Sequence, residues 1–96
     1  MQIRFLPEAE AEMIEAAIYY QRQVQGLGDA FLQEVERTAS WIAVYPEASV
    51  FVRGKIRRKT LFKFPFSVLY RVDDSMILIV AVAHHKRRPS FWSKRN

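Results

Sequence analysis

Two stretches of the chain concentrate side chains that can handle an anion or a proton. Lys55-Ile56-Arg57-Arg58-Lys59 is cationic at nearly every position, and His84-His85-Lys86-Arg87-Arg88 sets two imidazoles before three cations, with Phe91 and Trp92 following. Side chains of an extended strand alternate between faces, so Arg57 and Lys59 share one face, joined by Lys55 if the strand begins early. Cations in such a row can meet successive phosphates. The same row also suits an edge strand protected by charge from aggregation. Histidine is the side chain best suited to proton transfer near neutral pH. Adjacent histidines on a strand point opposite ways, so only one of His84 and His85 can join a shared site. Arg71, opposite Tyr70, is a third candidate, able to reach toward the C-terminal tail or a partner, or to pair across the sheet. Phe91 and Trp92 can stack on bases, or fold back to cap the sheet; we expect the second of one of them.

Other chemistries are excluded by what the sequence lacks. There is no cysteine, hence no disulfide, thiolate metal site or cysteine nucleophile. Two histidines alone do not close a zinc site, which takes about four ligands, so no metal centre is expected. The sequence holds no Gly-rich phosphate loop, nucleophile elbow or paired-carboxylate site. Charge is steeply divided: residues 1–50 carry three basic and eight acidic side chains, residues 51–96 twelve basic and two acidic. Such a division points to an anionic or acidic partner for the basic half, or to a solvated basic face that keeps the protein soluble.

The elements that must position these groups can be read from periodicity. Gln2–Leu6 alternates Ile3 and Phe5 with Gln2 and Arg4, as in a short strand. Pro7 fits the first turn of a helix, and Glu8, Glu10 and Glu12 favour its positive end. Ala9, Met13, Ala16, Tyr20 and Val24 form an apolar stripe that Ile14 and Ile18 widen. Gly26-Leu27-Gly28 stops this helix, and Asp29 is the expected N-cap of the next. Phe31, Val35, Thr38, Ile42 and Tyr45 make the second stripe, ended by Pro46. So short a link predicts an antiparallel helical hairpin. Ile56–Phe64 reads as a basic strand that Pro65 interrupts. Ser67–Val72 alternates, with Phe66, Val68, Tyr70 and Val72 opposite Ser67, Leu69 and Arg71. Asp73-Asp74-Ser75 turns into Met76–Ala83, apolar on both faces and therefore central in its sheet. Pro89 keeps the basic tail, residues 86–96, from extending that strand. The order is β-α-α-β-β-β, an α+β fold with an antiparallel-rich twisted sheet and the helical hairpin packed on one face.

With 96 residues, 50% hydrophobic and 26% charged, the chain has the size and composition of one globular domain, residues 1–96. Its longest apolar run, Met76–Ala83, is short of the ~20 residues that span a bilayer. Arg4 followed by acidic residues is not a signal peptide. We expect a cytoplasmic protein with no membrane partner.

The order and the motifs together resemble the RelE/ParE superfamily, the toxins of bacterial type II toxin–antitoxin modules. The likeness runs through Tyr19-Tyr20-Gln21, Gly28-Asp29-Ala30-Phe31 and Tyr45-Pro46-Glu47. It continues through Phe64-Pro65-Phe66-Ser67-Val68-Leu69-Tyr70-Arg71-Val72 and Ala83-His84-His85-Lys86-Arg87-Arg88-Pro89. The last two segments look most like the ParE branch, often labelled plasmid stabilisation proteins. The resemblance implies a growth-inhibiting toxin neutralised by a small cognate antitoxin, and usually no cofactor. ParE-type members poison DNA gyrase, whereas RelE-type members cleave messenger RNA on the ribosome. In the RelE pattern a lysine pair would fall on Arg57 and Lys59, and a strand-opening arginine on Ser67. Its tail cation would fall on Lys86 or a neighbouring arginine, and its tyrosine on Trp92, which has no hydroxyl to titrate.

The reading that follows is a ParE-like toxin acting by protein contact, with Arg57, Arg58, Lys59, Arg71, Lys86, Arg87, Arg88 and Trp92 meeting target or antitoxin. The alternative is a metal-independent, ribosome-dependent endoribonuclease. There Arg57, Lys59, Lys86 or Arg87 would stabilise charge on an attacking 2′-oxygen and the scissile phosphate, while His84 or His85 moves the proton. A third reading is a non-toxic homologue kept as a binding module.

Overall fold

The computed structural model describes residues 1–88 and 90–95; the expectation for Pro89 therefore lies outside the described residues. The chain runs β1 (Gln2–Phe5), α1 (Pro7–Gln23), α2 (Leu27–Val44), β2 (Val50–Arg53), β3 (Ile56–Thr60), β4 (Phe66–Asp73) and β5 (Met76–His84). The expected α+β order holds, with β2 added as a short strand that the sequence pattern did not reveal. The sheet order is β1-β5-β4-β3-β2, so the doubly apolar strand β5 is interior. β1 lies parallel to β5, and the other neighbours are antiparallel. A shift of register between Leu69 and Tyr70 keeps β4 in step with β5.

The helices pack on one face of the sheet over Phe31, Val35, Ile42, Val68, Tyr70 and Ile77, all essentially without solvent contact. Burial of such side chains stabilises the fold by roughly 1.5–3 kcal/mol each. An aromatic group joins the layers: Phe31 of α2 meets Phe64 and Phe66 with ring centroids 5.2 and 5.0 Å apart, and Tyr20 of α1 lies 5.4 Å from Phe31. Burial, with Tyr19 beside it, holds the Tyr20 phenol above its ordinary pKa. The Tyr70 hydroxyl crosses to the end of the helical layer and donates to the Pro46 carbonyl at 3.0 Å.

Three expectations about the helices are corrected. Ile14, Ile18 and Val24 do not face the sheet; they are 47%, 47% and 58% exposed. The buried row of α1 is Ala9, Ala16 and Ala17, flanked by Met13 and Tyr20, because small side chains let α1 settle closely. Tyr45 is likewise turned outward, at 54% exposure. Asp29 is not the N-cap: Gly26, with φ +89°, occupies that position and Asp29 falls in the first turn. The Gln21 side-chain oxygen instead accepts from the backbone N–H groups of Gly26 and Gly28, at 3.1 Å each. Gly28 marks a close helix approach, since a β-carbon there would collide with the Ala17 carbonyl oxygen and lie 2.9 Å from Gln21 Cβ.

β1 ends early, where the Leu6 N–H donates to the Ile79 carbonyl, and it leaves the last part of β5 without a strand neighbour on that side. Side chains close that edge. The Val82 N–H donates to Glu12 Oε1 at 3.1 Å, and Arg95 donates to the Val80 carbonyl at 3.1 Å. Arg95 also grips both Glu12 oxygens at 2.9 Å, a bidentate pair with both partners more than four-fifths buried.

Glu12→Ala should therefore destabilise the protein by about 2–4 kcal/mol, because it strands a buried guanidinium and a strand N–H. Arg37→Ala, breaking a 3.2 Å pair with Glu34 in which Arg37 is 74% exposed, should change stability by less than about 0.5 kcal/mol. Urea unfolding of the two variants checks the contrast. Gly28→Ala should cost about 1–3 kcal/mol by pushing the helices apart, read the same way.

Candidate functional site

The sheet face turned away from the helices is where the C-terminal tail returns. After β5 the chain turns on the Arg87 N–H to His84 carbonyl bond, and the His85 N–H donates to the Pro65 carbonyl at 2.8 Å. Successive turns follow, closed by Ser93 N–H to the Ser90 carbonyl and Arg95 N–H to the Trp92 carbonyl, both 2.9 Å. They seat Trp92, only 7% exposed, in the core against this face, as expected for one of the two tail aromatics. Phe91 lies beside it with the Arg87 guanidinium 3.8 Å and the Arg95 guanidinium 4.9 Å from its ring centre. Arg87 also stands 3.7 Å from Glu12.

Trp92 separates two depressions on this face. The larger, about 590 Å³, is bounded by Arg58, Thr60, Ser67, His85, Arg87 and Arg88, with Leu69, Ala83 and the tail aromatics behind them. No carboxylate lines it among the described residues. At its floor a polar line runs across the sheet: Thr60 Oγ1 lies 3.3 Å from Ser67 Oγ, which lies 3.0 Å from His85 Nε2. Ser67 is 3% exposed. Pairing Thr60↔Ser67 and Ser67↔Ala83 puts the three groups side by side, although Ser67 and His85 are 18 positions apart. The smaller depression, about 470 Å³, contains Arg53, Lys55, Arg71, Asp73 and Arg95. Arg71 donates to Asp73 at 2.7 Å and so faces the tail.

The basic strand is divided by its own alternation. Arg58 and Thr60 face the larger depression. Arg57 and Lys59 belong to the opposite, helical side, where their charges serve the fold. Arg57 donates to the carbonyls of Glu47 and Ser49 at 2.9 and 2.6 Å and lies 3.8 Å over the Phe51 ring. The Lys59 ammonium lies 4.1 Å over Trp41 of α2. The structure thus does not bring Arg57 and Lys59 to the site, and brings Arg58 instead. Both histidines line the larger depression, but their rings make different contacts. His84 packs edge-on to Phe66 at 5.0 Å, on the helical side, and its Nδ1 accepts the Lys86 N–H at 3.0 Å. Only the His85 ring joins the polar line. Arg58, Lys86 and Arg88 are exposed, with no side-chain partner among the described residues.

The arrangement has the donors for an anion: guanidinium groups at the rim, two hydroxyls and an imidazole at the floor. Sequence reasoning missed Thr60 as a participant and gave Ser67 no role of its own. Their signal was present only in the register of β3, β4 and β5. No cluster of three or more metal-ligating His, Cys, Asp or Glu side chains occurs among the described residues, and no helix there is long and apolar enough to cross a membrane.

Comparison with known proteins adds identity to this geometry. The fold is similar to a chain of a solved structure described as a chromosomal ParDE toxin–antitoxin system from P. aeruginosa, with a TM-score of 0.66. That match covers 88% of this chain and 95% of the other, at 18% identity, and speaks for the shared fold. No curated protein sequence matches the chain. The family model for the ParE toxin of the type II toxin–antitoxin system parDE matches residues 3–89, from the first strand to the turn after β5. The chain belongs to the ParE toxin family of type II toxin–antitoxin systems.

Proposed function

We propose that the protein is the toxin of a ParDE-type module: it arrests growth by holding a cellular protein, with DNA gyrase the first candidate, and a cognate antitoxin neutralises it. The observation that carries this reading is the family match over residues 3–89, which takes in all the strands and both helices. The surface supports action by contact. Ile14 and Ile18, four residues apart on one side of α1, are each 47% exposed, and the edge strand β2 leaves Val50 and Phe51 60% and 58% exposed. Exposed apolar rows of this kind suit burial under a partner's helix or strand. Acidic residues of the antitoxin would meet Arg58 and the Lys86–Arg88 cluster, raising association rate and specificity.

For a nuclease the residues offer less. Both histidines line the basic cavity but only His85 is bonded to its polar line, the tyrosine position is the buried Trp92, and Ser67 stands where an arginine would.

Induced expression followed by supercoiling assays and by mapping of messenger RNA on ribosomes separates the two. Loss of supercoiling with intact messages is expected; cut messages with normal supercoiling would reverse the reading. The double variant His84→Ala with His85→Ala should leave growth arrest largely intact, whereas neutralising Lys86, Arg87 and Arg88 together should abolish it, as plating of induced cells will record. Ile14→Asp with Ile18→Asp should weaken antitoxin binding at least about tenfold, equivalent to ~1.4 kcal/mol, without loss of circular dichroism signal.

A further inference from the structure

The larger depression on the open sheet face shares its rim cations Arg58, Arg87 and Arg88 with the contact reading, but its lining as a whole has a chemistry of its own. We infer that it is a phosphate-binding site, taking the phosphate of a nucleotide, either free or within a single strand. Arg58, Arg87 and Arg88 stand around a space of about 590 Å³ that no carboxylate lines among the described residues. Guanidinium groups match phosphate oxygens in pairs, and several of them balance the charge of a phosphate better than that of a carboxylate.

The floor supplies donors that a simple charged rim lacks. His85 Nε2, Ser67 Oγ and Thr60 Oγ1 lie in sequence at 3.0 and 3.3 Å. With the proton on His85 Nε2 the line runs from His85 to Ser67 to Thr60 and leaves the Thr60 hydroxyl hydrogen for an arriving oxygen. Ser67 is nearly buried, which fixes the line within the sheet and keeps it from collapsing into solvent. The rim is divided between fixed and available charge. Arg87 is held by Phe91 and by Glu12, whereas Arg58 and Arg88 have no side-chain partner among the described residues and can turn to a ligand. The other basic depression differs in containing Asp73, bound to Arg71, which would repel the same ligand. The ligand is held there with none of its bonds broken.

The test is calorimetric titration of the full-length protein with inorganic phosphate, adenosine 5′-monophosphate and a short single-stranded oligoribonucleotide. It needs neither antitoxin nor growth arrest, so its outcome is independent of the toxin reading. Saturable binding is expected, weakened about tenfold by Arg58→Ala or Arg88→Ala, the size of one charge-assisted hydrogen bond, and unchanged by Arg37→Ala. The His85 ring resonances should shift along the same titration. Tighter binding of the oligoribonucleotide, lost steeply with salt, assigns a strand; equal binding of the mononucleotide assigns a free nucleotide. No saturable binding of any of the three would overturn the inference, as would binding insensitive to both arginines with a silent His85. Equal affinity for an acidic peptide would overturn it as well.

Discussion

Strand β5 is apolar on both faces, and the protein has one helical layer with which to cover it. From Ile77 to Ala83 it is buried without interruption. The helical hairpin covers one face, so the other must be covered by something else, and among the described residues that role falls to the C-terminal tail. Its return seats Trp92 in the core and places Arg95 on the open edge of β5. The cost of ordering the tail is offset by buried aromatic surface and by a bidentate ion pair, with the Glu12 carboxylate shared between Arg95 and a strand N–H. Because His85, Arg87 and Arg88 lie on the way back, the covering of β5 also builds the basic cavity. Core and candidate site are thus one construction.

The alternation of a strand then decides what each charge does. Four of the five residues Lys55–Lys59 are cations, and composition alone treats them alike. Pairing with β4 turns Lys59 toward Trp41 of α2 and Arg57 toward Phe51 of β2 and the carbonyls of the α2–β2 loop, and Arg58 toward the cavity. Shifting this pairing by one position would exchange the two sets. The Tyr70 hydroxyl bond to Pro46 and the Thr60–Ser67 contact lie on the two opposite sides of this same pairing and hold it in place.

Much of this was legible in the sequence, and the exceptions have physical causes. The start of β5 followed from its apolar run, which ends one residue short of the strand, and the helical hairpin from its two stripes and the glycines between them. The outward turn of Ile14 and Ile18 was not legible, because α1 carries more apolar side chains than one face can bury. Ala16, Ala17 and Gly28 decide which stripe goes inward, by allowing the helices to approach. Strand β2 escaped notice because all four of its residues are exposed and show no alternation. The Ser67–His85 bond is non-local and depends on register, so no local motif announces it. Family membership, by contrast, was carried by short motifs in order, and the match over residues 3–89 bears it out.

The fold and the cavity depend on the tail being held against β5 in solution, and the backbone N–H of Val82 reports on this through Glu12, which Arg95 of the tail grips. It lies beyond the end of β1 and has Glu12 as its acceptor. Amide hydrogen exchange of the native protein, resolved by residue, measures how often that contact opens. Val82 is expected to exchange as slowly as amides inside the β4–β5 ladder. Exchange at the rate of an unpaired edge amide, with the ladder still protected, would contradict it.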